Sequence, residues 1–297
     1  MIIVIGKSGQ LARELSDIST EEQLVFLGRN DIDITSFSSV KDTLANYAPT
    51  AVINASAYTA VDKAETEPKQ AFLINHKAVE NLANYCKEQN IHFVHVSTDY
   101  VFKGDKGSPY LPDDNIEPQG VYGASKAAGE CSILEIIPEQ SCIIRTSWVY
   151  SQYGNNFVKT MLKLMTEKPE LGVICDQIGS PTSAKGLARV CLHAATHKVA
   201  GIHHWTDQGV ASWYDFAIAI QKIAFENGLL DKKIFIKPIN TKQYPTPAKR
   251  PPYAVLDKSS LINYFPEVEQ FHWQYVLNKL LTNRLNFSRL RSRVINR

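Results

Sequence analysis

The sequence predicts an α/β fold, a doubly wound parallel sheet with a smaller α/β lobe. Three observations predict it. Short β-branched runs alternate with longer segments of helical spacing through the first half of the chain, and the first of them, "IIVIG", leads straight into the glycine turn "GKSGQLARE". Beyond about residue 150 the rhythm changes to helical stretches separated by proline-rich loops such as "YPTPAKRPP". Strands that alternate with helices imply parallel pairing covered on both faces. The arrangement expected is Rossmann-like.

The elements follow in order. "IIVIG" (2–6), "LVFLG" (24–28), "AVINAS" (51–56), "IHFVHVS" (91–97) and "SCIIRTS" (141–147) are β-branched runs of strand length. Between them, segments 9–18, 38–47, 68–89 and 120–136 have helical spacing and length. "LGVICD" (171–176) is expected as a sixth strand, and helices are expected near 155–167, 184–197, 211–228 and 272–282. The domain reading is a dinucleotide-binding domain over 1–150, with parts of 171–200 added, and a mainly substrate-binding lobe over 151–297.

Composition bounds the class. At 297 residues, 44% hydrophobic and 21% charged, the chain is an ordinary globular one. No apolar run approaches the roughly 20 residues that span a bilayer, and the N-terminus reads as a first strand rather than a signal peptide. Five widely spaced cysteines without a C-x-x-C favour reduced thiols and a cytoplasmic setting. The net charge of +2 hides an asymmetry, because the five arginines of 283–297 leave the rest of the chain at −3. That tail reads as a solvated terminus, so neither nucleic acid nor membrane is an expected partner.

The glycine turn implies a cofactor. Gly6 makes the tight turn, Gly9 lets the backbone approach a pyrophosphate, and Ala12 lets the helix pack closely on the sheet. Gln10 and Leu11 open that helix, whose free N–H groups and positive dipole end would face the phosphates. The second strand ends in "GRNDIDI", with Arg29 ahead of Asp31. A cation there neutralises a 2′-phosphate, whereas a carboxylate there binds the ribose hydroxyls, so the order favours NADPH with NADH as the alternative. Asp31 and Ile32 suit the adenine pocket. After the third strand, Ala55 and Ala57 border the expected cofactor path, followed by Tyr58 and Thr59.

"VSTDYVF" brings Thr98 and Asp99 to the carboxyl edge of the sheet, where ligands bind in open α/β folds. The helix beginning near residue 120 carries Tyr122 and Lys126 one turn apart on one face. Hydride reduction of a ketone leaves negative charge on oxygen, so a donor must deliver a proton as that charge grows. Tyr122 is the expected donor. Lys126 is expected to lower its pKa and to hold the nicotinamide ribose, and Thr98 to bond the carbonyl oxygen. A second Tyr-x-x-x-Lys at Tyr275 and Lys279 lacks this setting and reads as ordinary helix.

With these motifs in view the sequence resembles the extended short-chain dehydrogenase/reductase family. The resemblance spans nearly the whole chain through "GKSGQLA", "NASAYTAVDKAE", "STDYVF", "VYGASKAAGE", "RTSWVY", "GNNF", "DQIGSPT" and "YPTPAKRP". It implies NADPH-dependent reduction of the C4 ketone of a dTDP-linked 4-keto-6-deoxy-L-hexose, serving rhamnose-containing cell-surface polysaccharide such as lipopolysaccharide. By the same resemblance Thr98, Tyr122 and Lys126 form the catalytic triad and Trp148 contacts the substrate. Thr59, Val61, Asp99 and Tyr100 line the sugar pocket, with Asn156 beside it and Arg250 as a partner for the diphosphate. Some relatives hold magnesium at a dimer contact through glutamates. Glu14 matches one of these, but Lys185 stands where a second carboxylate is expected, so no metal is expected and a homodimer is left open. His193 and His197 lie one helical turn apart, as metal ligands sometimes do, yet no carboxylate or cysteine completes a set, so they read as a surface or core pair. Two alternatives stay open: another nucleotide-sugar ketoreductase or epimerase of this fold, and a non-catalytic regulatory subunit that binds cofactor. A dehydratase is disfavoured, because Tyr100 rather than glutamate follows Asp99.

Overall fold

The structure, a computed structural model, describes residues 1–19 and 24–282, so the arginine-rich segment 283–297 lies outside the described residues. The first half contains β1 (Ile2–Ile5), α1 (Gln10–Ile18), β2 (Leu24–Leu27), α2 (Phe37–Ala45), β3 (Ala51–Asn54), α3 (Val61–Ala64) and α4 (Pro68–Phe72). A π-helical turn (Leu73–Lys77) joins α4 to α5 (Ala78–Gln89), followed by β4 (His92–Thr98), α6 (Val121–Ile136) and β5 (Ser141–Thr146). Then come β6 (Val149–Tyr150), α7 (Phe157–Glu167), β7 (Glu170–Ile174), β8 (Ile178–Gly179), β9 (Thr182–Ser183), α8 (Ala184–His197) and β10 (Gly201–His204). The chain closes with β11 (Ala211–Ser212), α9 (Trp213–Glu226), β12 (Phe235–Ile239), α10 (Leu261–Tyr264) and α11 (Trp273–Thr282).

Runs such as Ile2–Ile5 and Ala51–Asn54, apolar but for Asn54, are buried at every position, as strands covered on both faces must be. They pair in the order β10-β5-β4-β3-β1-β2, each neighbouring pair parallel. The direction of winding reverses between β1 and β3, and a crevice opens there at the carboxyl ends of the strands. Leu11, Leu15, Leu187 and Cys191 from α1 and α8 cover one face of the sheet. Val40, Leu44, Leu82 and Ile133 from α2, α5 and α6 cover the other. Each such aliphatic side chain contributes roughly 1.5–3 kcal/mol on burial.

The sixth strand corrects the sequence reading. Residues 170–174 do not join the main sheet but pair in parallel with β12 on a separate core of α7, α9 and α11, built on Met161, Met165, Phe216 and Trp273. Only Val173 of β7 is buried, which suits a strand with one covered face. The sixth position belongs to β10, "GIHH", whose His203 and His204 are buried with ring nitrogens bonded to Ser260, the Ala200 carbonyl and the Asp257 carbonyl. His203 is bonded through both ring nitrogens, whereas His204 Nε2 has no partner among the described residues; both histidines read as polar in sequence and behave as core in the fold. Among the described residues no helix is long and apolar enough to cross a membrane. Tyr275 is exposed on α11, with the Lys279 ammonium over its ring at 4.5 Å.

Candidate active site

The cofactor crevice is built by backbone first. Gly6 takes φ +108°, and a Cβ there would lie 2.9 Å from the Ala55 carbonyl carbon and the Ser56 nitrogen, so only glycine lets β1 turn this close to β3. Gly9 caps α1 without a side chain, which leaves the first-turn N–H groups without a side-chain partner at the crevice. A cavity of about 750 Å³ runs from this turn along the ends of β2 and β3. Gly6, Gly9, Arg29, Ile32, Ala55, Ala57 and Tyr58 line it, together with Lys7 and Ser8. The size, the glycine cradle and the unsatisfied helix N-terminus fit a dinucleotide, and Arg29 with Lys7 offers positive charge where a 2′-phosphate would lie.

Three expected cofactor residues are placed otherwise. Asp31 accepts from the Gly28 N–H (2.8 Å) and faces Lys7 (3.9 Å), so its carboxylate closes a turn. Leu11 points into the core. Gln10 Oε1 accepts from Asn156 Nδ2 (2.9 Å). Asn156 Oδ1 in turn caps α7 by accepting from the Lys159 N–H (3.2 Å), so this residue of the expected substrate pocket works as a cap and a bridge to α1.

At the end of β4, Thr98 donates to Asp99 Oδ1 (2.9 Å) and accepts from the Tyr100 N–H (3.2 Å). Asp99 is buried, its Oδ2 has no partner among the described residues, and burial raises its pKa to about 7. Opposite, α6 starts where Glu65 Oε1 accepts from the Val121 N–H (2.9 Å). The helix presses against the Tyr100 carbonyl so tightly that a Cβ on Gly123 would overlap that oxygen. The Tyr122 and Tyr100 rings meet edge to face at 5.4 Å.

The lysine corrects an expectation. Lys126 is 1% exposed, and its Nζ donates to the Val96 carbonyl (2.6 Å) and lies 3.1 Å from His95 Nε2. The Tyr122 phenol is raised rather than lowered: burial carries it to about 12, opposed by the Thr98 hydroxyl and reinforced by Asp99. Asn54 Oδ1 accepts from the Ser56 backbone and hydroxyl (3.1 and 2.6 Å), so its amide N–H faces His95 Nδ1 at 3.1 Å. That leaves the single proton of a neutral imidazole on Nε2, opposite the Lys126 amine. An ammonium there would meet a donor. The network therefore favours the neutral amine, in the same direction as the burial that lowers Lys126 to about 8.

On the substrate side Trp148 adopts left-handed backbone at φ 49°, a strained conformation for so large a residue. Its indole stacks on Trp213 at 3.6 Å. Beside this stack lies a cavity of about 430 Å³ lined by Phe157, Leu164, Leu171, Trp213, Tyr244 and Arg250. A smaller hollow bordered by Asp99, Tyr100, Trp148, Gln177, Trp213 and Arg250 joins it to the end of β4. Arg250 is not free here, because its guanidinium grips Asp62 with two bonds of 3.0 and 2.7 Å and holds that carboxyl below its usual range. Thr59 lies just before α3 and Val61 opens it, and neither borders either hollow. Sequence reasoning missed His95, Asp62, Phe157 and Trp213. Asp62 carried a signal, since it lies in the same "AVDKAE" stretch as Val61.

The two metal readings separate. Glu14 is buried, with Ser151 and Lys185 near its carboxyl, while the neighbouring Asp17 accepts from Tyr153 and Gln152, so this set does not fit magnesium. The pair His193 and His197 does acquire a carboxylate through the fold, because Glu267 comes to lie beside it.

The family model described as the RmlD substrate binding domain matches residues 1–286. A curated dTDP-4-dehydrorhamnose reductase of Aggregatibacter actinomycetemcomitans is 39% identical over 288 residues, covering 94% of this chain and 97% of the relative. A crystal structure of a dTDP-4-dehydrorhamnose reductase from Clostridium acetobutylicum superposes with a TM-score of 0.88 at 36% identity, over 94% of this chain and 98% of its own. That of the Bacillus anthracis dTDP-4-dehydrorhamnose reductase in complex with NADP gives 0.87 at 34%, over 94% and 97%.

Proposed function

From the premise that this chain belongs to the family of the RmlD substrate binding domain, we propose that it is an oxidoreductase that reduces the C4 ketone of dTDP-4-dehydro-L-rhamnose with NADPH to give dTDP-L-rhamnose. The observation that carries this reading is one of placement. The cluster of Thr98, Asp99 and Tyr122 stands beside the hollow that leads to the aromatic cavity, at the sheet edge that also carries the crevice. NADPH supplies the hydride when bound.

The chain's own residues do the rest. Tyr122, with a pKa near 12, is protonated at any working pH, which is the state a proton donor needs. Its proton moves to the alkoxide oxygen as the C4 ketone is reduced. Thr98 donates its hydroxyl hydrogen bond to Asp99. Asp99 titrates near neutrality, and its protonated form releases Thr98 to bond the ketone oxygen. Lys126 is fixed by Val96 and His95 and would hold the nicotinamide ribose of a bound cofactor. The aromatic cavity takes the nucleobase, and Arg250 exchanges Asp62 for the diphosphate, so remote binding energy orients the reacting carbon. All five cysteines are free, which supports a cytoplasmic setting. The dinucleotide lobe is then residues 1–150 with 184–204, and the remainder is mainly substrate lobe.

The test mixes purified protein, NADPH and dTDP-4-dehydro-L-rhamnose, follows loss of NADPH absorbance and identifies the sugar by NMR. Oxidation of NADPH with formation of dTDP-L-rhamnose is expected. NADPH binding without oxidation would overturn the assignment.

A further inference from the structure

We propose that His193, His197 and Glu267 form a binding site for a divalent transition metal of the zinc class, remote from the catalytic centre. The two histidines stand one turn apart at the end of α8, with ring centroids 4.0 Å apart and planes 26° from parallel. Glu267 arrives on the segment after α10, which Leu261, Phe265 and Val268 anchor in the same core as α8. One donor atom from each of the three lies within 4.8 Å of the others.

The hydrogen bonds around the rings prepare them for ligation. His197 Nδ1 meets the His193 carbonyl at 3.1 Å, and the His193 ring donates to the Tyr264 backbone carbonyl. A neutral imidazole that spends its one N–H on a carbonyl keeps a lone pair on its other nitrogen, the arrangement found around metal-bound histidines. The His193 ring is also braced by Phe265, centroids 5.4 Å apart. Two nitrogens and one carboxylate oxygen suit zinc and its neighbours, whereas magnesium and calcium take all-oxygen sets. Bonds of about 2.0–2.2 Å require the donors to close slightly from their present spacing. The His197 and Glu267 side chains are exposed and free to do so.

Topology gives the site its role. In a parallel sheet a helix runs back against the strands, so the C-terminal end of α8 lies at the edge opposite the crevice. A metal there touches neither cofactor nor substrate. It clips the 258–268 segment to α8.

The probe is zinc chloride alone, titrated calorimetrically into the metal-free chain, with cobalt(II) chloride as an optical reporter of the ligand set. One equivalent of zinc is expected to bind and to raise the melting temperature, and magnesium chloride is not. His197→Gln and Glu267→Gln, both exposed positions, are each expected to weaken zinc at least roughly tenfold, the loss seen even for outer partners of a metal site. Neither is expected to alter turnover. Zinc binding unchanged in both variants would assign it to other groups such as the exposed Cys131 and Cys175 thiols and overturn the proposal. So would the absence of stoichiometric zinc binding to the unmodified chain.

Discussion

Tyr122 separates chemistry from binding at the level of one atom. Removing its hydroxyl in Tyr122→Phe leaves the ring against Tyr100 and subtracts only the proton donor. Turnover should fall by about 10²–10⁴-fold, the usual worth of a general acid, with NADPH affinity nearly intact in a fluorescence titration. Unchanged turnover would remove Tyr122 from the mechanism. The sequence made this residue legible because spacing and strand order place Tyr122 and Lys126 near Thr98. It did not reveal His95, which sits in an apolar strand like any core residue and takes its meaning only from the partners on either side, Asn54 and Lys126. Nor could it show Asp62 on Arg250, a contact across 188 positions.

At the level of elements, α6 depends on one absent methyl group. Gly123 lies directly over the Tyr100 carbonyl, with Pro118 beside it. Gly123→Ala should push the helix off β4, costing about 1–3 kcal/mol of stability as overpacking does. It should also lower turnover by more than the loss of folded protein explains, as read from a urea midpoint and kcat on the same preparation. A second device is the π turn. Asn75 within it accepts from the Tyr58 N–H (2.8 Å) and donates to the Tyr58 carbonyl and Ser125 (both 3.0 Å), tying the crevice wall to α6. The helices were legible as periodicity, and residues 184–197 were read with the bounds the structure gives α8. The extra residue of a π turn and the assignment of β10 over β7 were not, because both are decided by partners far along the chain.

For the molecule as a whole, two cores meet around buried ionisable groups, and these make stability depend on pH. Asp207 accepts from the Ser183 N–H (2.9 Å), and burial raises its pKa to about 7. An unfolded aspartate titrates near 4. The folded state therefore holds the proton more tightly, and stability falls as pH rises from about 4 to 7, by about 1.4 kcal/mol per unit of pKa difference. Asp207→Asn keeps an acceptor for Ser183 and removes this titration. Its melting temperature should decline less than that of the unmodified protein between pH 5 and pH 7, and parallel declines would place the slope elsewhere, Asp99 first.

The stack of Trp148 on Trp213 gives the molecule an optical property. Two indoles 3.6 Å apart and nearly parallel share their excited states, so they absorb and emit as a pair. They border the hollow beside Asp99 and Arg250, and a guest that enters there disturbs that pair. The protein thus carries a built-in chromophore for occupancy of its substrate side, visible in near-ultraviolet circular dichroism before any nicotinamide is consumed.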